Sequence, residues 1–154
     1  MDTVTPAIRS RMMAGIRSTN TKPEIVVRSM LHAKGFRYRL GKKIVNITPD
    51  VVLPKYKVAV FVHGCFWHRH QNCKYATTPK THPEKWQKKF CENTSRDMRT
   101  IKTLLDAGWR VVVIWECWTK RKLDISWLYP WIKGGKLPYV SWPETNDPTP
   151  NNAG

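Results

Sequence analysis

Apolar side chains recur at helical spacing in several parts of the chain, and each of these parts is predicted to be a helix. Two of them begin with capping-box patterns, Thr21–Glu24 and Thr81–Glu84, in which a threonine stands three residues before a glutamate. Gly35 and Gly108 are typical of the position just after a helix. The predicted helices are a basic one from Thr5 to about Ile16, one that ends before Gly35, a long one that ends at Ala107, and one around Ser126–Ile132.

Short runs rich in β-branched and aromatic residues lie between these helices and predict strands. Phe36–Leu40 alternates aromatic and basic residues, as a half-exposed strand would, and Asp50–Leu53 and Lys57–Val62 follow as a pair joined by a turn. Trp109–Trp115 is almost entirely apolar, which is typical of a strand covered on both faces. This order predicts an α/β sandwich around a mixed sheet, with the Trp109 strand beside the Lys57–Val62 strand.

The chain has 154 residues, a length typical of one domain with its own hydrophobic core. We expect a single domain over residues 1–142, of which residues 1–20 form an N-terminal arm. Residues 143–154 are rich in Pro and Asn and are predicted to be a disordered tail. The sequence contains no apolar run of signal-peptide or membrane-span length, so we expect a cytoplasmic protein with no membrane partner.

Basic residues outnumber acidic ones by 27 to 11, which leaves a formal net charge of +16. Such an excess favours a polyanionic partner, because each phosphate that is neutralised releases condensed counterions. Nucleic acid is therefore the first expectation, and a generic basic protein or one that docks on anionic lipid is the alternative. The basic N-terminal helix has a weak apolar face, so it is predicted either to contact DNA or to be a frayed terminus.

The long helix carries a carboxylate on its apolar stripe. Phe90, Thr94, Ile101 and Leu104 repeat at helical spacing, and Asp97 falls on the same face. A carboxylate buried without a partner would cost several kcal/mol or become protonated, so Asp97 requires a partner. A histidine from the loop between residues 65 and 73 is the favoured one, and a salt bridge to Arg96, Arg99 or Arg110 is the alternative.

Four cysteines in an intracellular chain are more often metal ligands or buried thiols than disulfides. Cys65 and Cys73 bracket His68 and His70, and Cys117 lies at the end of a strand predicted to be nearby. Three thiolates and one imidazole form a common type of structural zinc site. The sequence therefore predicts zinc here, with the imidazole left open between His68 and His70. Cys91, on the long helix, is predicted to be an ordinary core thiol.

The polar residues left over predict chemistry at a phosphodiester bond. Asp50, at a strand start, is a candidate ligand for Mg²⁺, a hard cation that takes one or two carboxylates together with water and phosphate oxygens. A histidine paired with Asp97 could deprotonate an attacking water, and His63 lies at the end of the second strand. Together these groups predict metal-assisted phosphodiester hydrolysis.

Large aromatic residues accompany these candidates. Phe66 and Trp67 lie between the predicted metal ligands, and Trp86 lies near the start of the long helix. Such side chains either pack into the core or insert as a wedge between base pairs of deformed DNA. The wedge is favoured for Phe66 and Trp67, whereas for Trp86 the two interpretations are equally supported.

Several short segments of this sequence resemble those of a known protein family. The segments that carry the resemblance are Pro49-Asp50, His63-Gly64-Cys65-Phe66-Trp67-His68, Trp86, Arg96-Asp97, Trp109-Arg110-Val111 and Trp115-Glu116-Cys117. They are similar to the very short patch repair DNA mismatch endonucleases, over roughly Ser10 to Cys117. The resemblance implies a restriction-endonuclease-like fold and strand-specific nicking on the 5′ side of the thymine in T·G mismatches, which arise when 5-methylcytosine deaminates.

The resemblance also implies roles for single residues. Asp50 and the backbone carbonyl of Val62 match the positions that hold Mg²⁺, and His63, His68 and Asp97 match those that contact the phosphate and activate water. The positions that bind structural zinc are matched by Cys65, His70, Cys73 and Cys117. Those of the intercalating wedge are matched by Phe66, Trp67 and Trp86, with Met13 of the N-terminal arm opposing them.

Two rival functions remain at this point. One is a non-catalytic zinc-bearing DNA-binding module, in which Asp50 and Asp97 only balance basic neighbours. The other is a nicking nuclease of different specificity on the same fold. For the favoured function we expect a monomer that acts on double-stranded DNA, associates with the bacterial nucleoid and is a potential client of mismatch-repair proteins.

Overall fold

The computed structural model describes residues 21–144, and Met13, the rest of the predicted N-terminal arm and residues 145–154 lie outside this range. The described elements are α1 (Lys22–Ala33), β1 (Val51–Leu53), a 3₁₀ turn (Pro54–Tyr56), β2 (Val58–His63), α2 (Pro83–Asp106), β3 (Arg110–Trp115), α3 (Cys117–Lys120), α4 (Leu128–Gly134) and β4 (Tyr139–Trp142). None of the described helices is long and apolar enough to cross a membrane.

The four strands form one mixed sheet in the order β1-β2-β3-β4. β1 is antiparallel to β2, with Val51 opposite Val60, whereas β2, β3 and β4 are parallel to one another. The long helix α2 makes the crossover between β2 and β3 that parallel pairing requires. The predicted α/β sandwich with a mixed sheet is confirmed, and β3 lies beside β2 as expected.

Alternate residues of the central strands face two separate hydrophobic layers. Val58, Val60 and Val62 pack with α1 and α4 in one layer, while Ala59 and Phe61 face the layer that contains Leu104 of α2. Helices therefore cover both faces, which explains why β2 and β3 are apolar along nearly their whole length. By the same alternation, His63 at the end of β2 belongs to the α2 face.

Several predicted elements differ in detail from the observed ones. Phe36–Leu40 is not a strand: only Arg39 pairs with Val52, through hydrogen bonds of 2.8 and 3.0 Å. The three-residue β1 is too short to template a longer neighbour, and the basic side chains favour solvent. The strand β4 was not predicted, because the four residues Tyr139–Trp142 carry too short a pattern between a Leu-Pro and a Trp-Pro pair.

The predicted capping boxes are also wrong in geometry. α1 begins after Thr21, but the Thr21 hydroxyl donates to the Glu24 carboxylate at 3.1 Å instead of capping the backbone. α2 begins at Pro83, with His82 in a left-handed conformation at the N-cap and no side-chain cap. Cys91, predicted to lie in the core, is exposed.

Candidate functional site

A cleft of about 1010 Å³ opens beside the carboxyl-terminal end of β2. Among its lining residues are six of the candidates predicted from the sequence: Asp50, Val62, His63, Trp67, His68 and Asp97. Asp50 reaches it because β1 is antiparallel to β2, so that the residue before β1 meets the end of β2. Asp97 reaches it from α2, which covers the same face of the sheet.

Asp50 is held by the backbone of β2. The Val62 N–H donates to Asp50 Oδ2 at 2.7 Å. Burial raises the pKa of Asp50 to about 6, although the hydrogen bond from Val62 opposes this effect, and the nearby Glu24 adds to it. A half-buried carboxylate with a raised pKa is a group for which a bound cation would be favourable.

His68 and Asp97 form a close pair. His68 Nδ1 and Asp97 Oδ2 lie 2.6 Å apart, and both side chains are mostly buried, at 28% and 20% exposure. The predicted histidine partner for Asp97 is therefore confirmed, and the arginine alternative is wrong. The carboxylate accepts from the ring, so the proton lies on Nδ1 and Nε2 is the basic nitrogen.

His63 stacks on this pair. Its ring lies 3.9 Å from that of His68, with an angle of 9° between the ring planes. Burial, together with the nearby His68 and His70, lowers the pKa of His63 well below its usual value, so the ring is neutral. Its Nδ1 is buried and has no hydrogen-bond partner within residues 21–144. A buried polar atom in this state, at the wall of a cleft, is available to a bound group.

A second cluster joins Cys65, His70, Cys73 and Cys117, whose ligand atoms all lie within 4.8 Å of one another. His70 Nδ1 lies 3.5 Å from both Cys65 Sγ and Cys117 Sγ. Tetrahedral zinc, with bonds of about 2.3 Å to sulfur and about 2.0 Å to nitrogen, separates such atoms by about 3.5 Å. The donor set and its spacing therefore fit a metal ion.

Groups that contact this cluster favour the binding of a cation. His70 Nε2 donates to the Pro143 carbonyl at 2.8 Å, which leaves Nδ1 as the ligand atom. A hydrogen bond with the Cys65 thiol, helped by His70 and Arg121, lowers the pKa of Cys117 well below its usual value. His68 lies in the other cluster, so of the two candidate imidazoles it is His70 that joins the cysteines.

An aromatic cluster borders the cleft. The ring of Phe66 lies 5.0 Å from that of Trp67 and 5.6 Å from that of Trp86, and both Phe66 and Trp86 contact the buried Phe90. The three outer rings are only half-buried. The cluster packs on the buried Phe90, and part of each outer ring stays exposed, where a partner could bind. Met13, predicted to oppose them, lies outside the described residues.

Sequence reasoning gave no role in the cleft to several polar residues of its wall: Glu24, Lys89, Asn93, Arg96 and Glu116. Glu24 resembled a helix cap, and the basic residues of α2 resembled an ordinary solvated face. The i, i+4 spacing of Lys89, Asn93 and Asp97 was the available signal. The Asn93 side chain donates to the Trp67 carbonyl at 3.2 Å, so it also holds the aromatic cluster.

Comparisons with known proteins identify the family of the chain. A family model described as DNA mismatch endonuclease Vsr matches residues 1–75. The type II nicking enzyme V.XorIIP of Xanthomonas oryzae pv. oryzae is 44% identical over 116 residues, which cover 75% of this chain and 85% of that protein. The type II nicking enzyme V.NmeAIP of Neisseria meningitidis is 43% identical over 121 residues, or 79% and 86% of the two chains.

One further relative supports the family, and one solved structure supports the fold. The DNA mismatch endonuclease Vsr of Escherichia coli is 38% identical over 111 residues, which cover 72% of this chain and 70% of that protein. The solved catalytic domain of the homing endonuclease I-Bth0305I superposes with a TM-score of 0.51 at 18% identity, covering 73% and 94% of the two chains, and thus supports the fold. The chain is therefore a DNA endonuclease that belongs to the DNA mismatch endonuclease Vsr family.

Proposed function

We propose that this endonuclease nicks one strand of DNA on the 5′ side of the thymine in T·G mismatches that arise from deamination of 5-methylcytosine. The observation that carries the proposal is the convergence of Asp50, His63 and the His68–Asp97 pair on one cleft. That cleft is bordered by half-buried aromatic rings in a strongly basic chain. The names of the relatives, a mismatch endonuclease and nicking enzymes, support it.

The cofactor proposed for the cleft is Mg²⁺. Asp50 supplies a carboxylate oxygen, and the Val62 carbonyl is the proposed second ligand. The His63 carbonyl accepts from Glu116 on the β3 side, so the N–H and C=O of Val62 point to the opposite side, toward Asp50. When bound, Mg²⁺ supplies charge that polarises the scissile phosphate and stabilises its transition state.

The remaining catalytic roles are proposed for side chains of the protein. Asp97 holds the Nδ1–H of His68, so that Nε2 can take a proton from the attacking water. His63 is neutral and buried, and its proposed role is to contact the phosphate. The fixed stacking of the two rings keeps both groups at the same phosphodiester bond.

The aromatic cluster is proposed to provide mismatch recognition. Phe66, Trp67 and Trp86 would insert between base pairs, at a cost of a few kcal/mol of stacking per step. A T·G pair is a weaker barrier to such insertion than a matched pair. Met13 of the N-terminal arm is proposed to oppose the wedge.

The metal proposed for the Cys65, His70, Cys73 and Cys117 cluster is Zn²⁺ in a structural role. Three thiolates and one imidazole suit zinc, and no open position is needed for chemistry there. The cluster shares no residue with the His63, His68 and Asp97 group. Its proposed function is to fix the loop that carries both His68 and the aromatic wedge.

For the whole chain, we propose a single endonuclease domain over residues 1–142 that acts as a monomer, with a tail from residue 143. Because its proposed substrate is genomic DNA, a cytoplasmic, nucleoid-associated location and recruitment by mismatch-repair proteins are part of the proposal.

The experiment that tests catalysis compares binding and nicking of a T·G duplex with Mg²⁺. We expect Asp50→Ala and His68→Ala to abolish nicking while they retain DNA binding, since both residues act at the phosphate. Glu92→Ala, a change on the exposed face of α2, is the control. If the wild-type protein binds the duplex but leaves it intact, the proposed nicking of T·G mismatches is refuted.

A nicking enzyme of another specificity is the second candidate. It is favoured by the relatives from Xanthomonas oryzae and Neisseria meningitidis, which are named type II nicking enzymes. The two candidates share the catalytic groups and differ in which duplex is cut, so a comparison of matched and mismatched duplexes separates them.

A further inference from the structure

Glu116 makes two hydrogen bonds to the segment that begins the catalytic loop. Its backbone N–H donates to the His63 carbonyl at 2.9 Å, which extends the β2–β3 ladder by one residue. Its side-chain Oε2 accepts from the Cys65 N–H at 3.0 Å. The two bonds enclose Gly64, so a single residue spans the three residues His63 to Cys65.

The lack of a side chain at Gly64 permits this contact. A Cβ built at Gly64 would lie 3.2 Å from Glu116 Oε2, which is tighter than ordinary van der Waals contact. Its φ is not positive, so the backbone conformation does not require glycine here. The absent side chain instead makes room for the carboxylate to reach the Cys65 N–H.

This position connects the two clusters of the site. Glu116 directly precedes Cys117, and it binds the N–H of Cys65, a second member of the cysteine cluster. On its other side it holds the carbonyl of His63, which lines the cleft. A displacement of about 1 Å in a group that acts on the substrate can lower a rate about 100-fold. The contact is therefore well placed to fix His63 relative to the cysteine cluster.

We propose that Glu116 is a positioning residue for the nicking reaction: it accepts the Cys65 N–H and thereby holds His63 at the cleft. This inference rests on the proposed function, because it assumes that His63 acts at the phosphate. It requires an oxygen acceptor with the reach of a glutamate, and it does not require a negative charge.

Two substitutions separate acceptor from charge. Glu116→Gln keeps an amide oxygen at the same reach and removes the charge, whereas Glu116→Asp keeps the charge and withdraws the acceptor by one methylene group. We expect Glu116→Gln to nick T·G duplexes within about threefold of the wild-type single-turnover rate. Glu116→Asp should be at least about tenfold slower, because the Cys65 N–H loses its acceptor.

Three further readouts test whether Glu116 acts only through position: DNA affinity, zinc content and the Mg²⁺ concentration for half-maximal rate. All three should match the wild type in both variants, within about twofold on the scale of ordinary surface changes. Glu92→Asp and Glu92→Gln, at an exposed carboxylate of α2, are the matched controls.

Each outcome decides the inference. A slow Glu116→Asp with normal zinc content, beside an active Glu116→Gln, supports it. An inactive Glu116→Gln would mean that charge is required, and a raised Mg²⁺ requirement in that variant would make Glu116 a cation ligand; either overturns it. It is also overturned if Glu116→Asp is fully active, or if it loses zinc together with activity. Failure of the wild-type protein to nick any T·G duplex would refute the proposed function instead.

Discussion

The type of partner that Asp97 requires could be predicted from the sequence. A carboxylate on an apolar stripe needs a partner, and His68 provides it at 2.6 Å. The stacking of His63 on His68 was not predictable, because it depends on how the loop after β2 folds back toward α2.

Asp97→Asn should slow nicking at least about 100-fold, because an amide no longer stabilises the charged imidazole that forms when His68 takes a proton. Single-turnover nicking of a T·G duplex at saturating enzyme measures this rate. Asp106→Asn, at an exposed carboxylate near the end of the same helix, is the matched control. A wild-type rate in Asp97→Asn would remove the pair from the mechanism.

Asp50, the proposed Mg²⁺ ligand, has a cost in stability. Burial raises its pKa from 3.8 to about 6, so the folded protein binds this proton more tightly than the unfolded chain. The stabilising effect of the proton is complete below about pH 4 and is lost as the pH rises through 6. Above pH 6, the ionised carboxylate destabilises the fold by up to about 3 kcal/mol, at 1.36 kcal/mol for each pKa unit.

Asp50→Asn should therefore stabilise the protein at pH 8 when no Mg²⁺ is added, while it abolishes nicking. The neutral amide oxygen can still accept the Val62 N–H without the cost of a buried charge. Urea unfolding at pH 8 and at pH 4 measures the effect, and the two proteins should converge at the lower pH. A variant that is less stable than the wild type at pH 8 would contradict this explanation.

Among the elements, those with long apolar patterns were predictable and those set by their neighbours were not. β3 and α2 were expected from the sequence alone, because burial on both faces and a long helical stripe leave clear patterns. β4 depends on pairing with β3, and its four residues carry little signal. Phe36–Leu40 has a strand-like alternation but only a three-residue neighbour to pair with.

The predicted wedge lies at the junction of two such elements. Trp86 comes from α2, whereas Phe66 and Trp67 come from the loop after β2, and tertiary packing brings their rings within 5.0 to 5.7 Å of one another. Sequence spacing alone could not predict this cluster. It could only identify the separate aromatic residues near metal-type ligands.

Trp86→Ala should reduce the preference for T·G over T·A duplexes by at least about tenfold, since stacking of a base on an aromatic ring contributes about 1–3 kcal/mol. Competition binding with both duplexes gives the ratio of affinities. Met98→Ala is the control, because Met98 is 72% exposed on the same helix and does not line the cleft. An unchanged ratio in Trp86→Ala would assign that ring to packing alone.

The cysteine cluster connects parts of the chain that are far apart in sequence. Its ligands come from the loop after β2 and from the end of β3, and His70 is bound in turn to the Pro143 carbonyl just after β4. The expected composition of the cluster could be predicted from the sequence. The contact with Pro143 could not, because the tail was expected to be disordered from that residue onward.

If the cluster holds the proposed structural metal, Cys117→Ser should release it and lower the melting temperature, because binding of a structural metal contributes directly to the free energy of folding. Metal analysis of the purified protein and thermal unfolding measure the two effects. Cys91→Ser, at an exposed cysteine outside the cluster, is the matched control. Unchanged metal content and melting in Cys117→Ser would show that the ligand set is wrong.

Nicking of three duplexes of one sequence, carrying T·G, T·A or C·G at a single position, tests the central claim most directly. With Mg²⁺ present, we expect one nick on the 5′ side of the mismatched thymine and at least about 100-fold slower cleavage of both matched duplexes, a discrimination of about 2.7 kcal/mol in the transition state. Equal cleavage of all three, or no cleavage of the T·G duplex, would contradict the account.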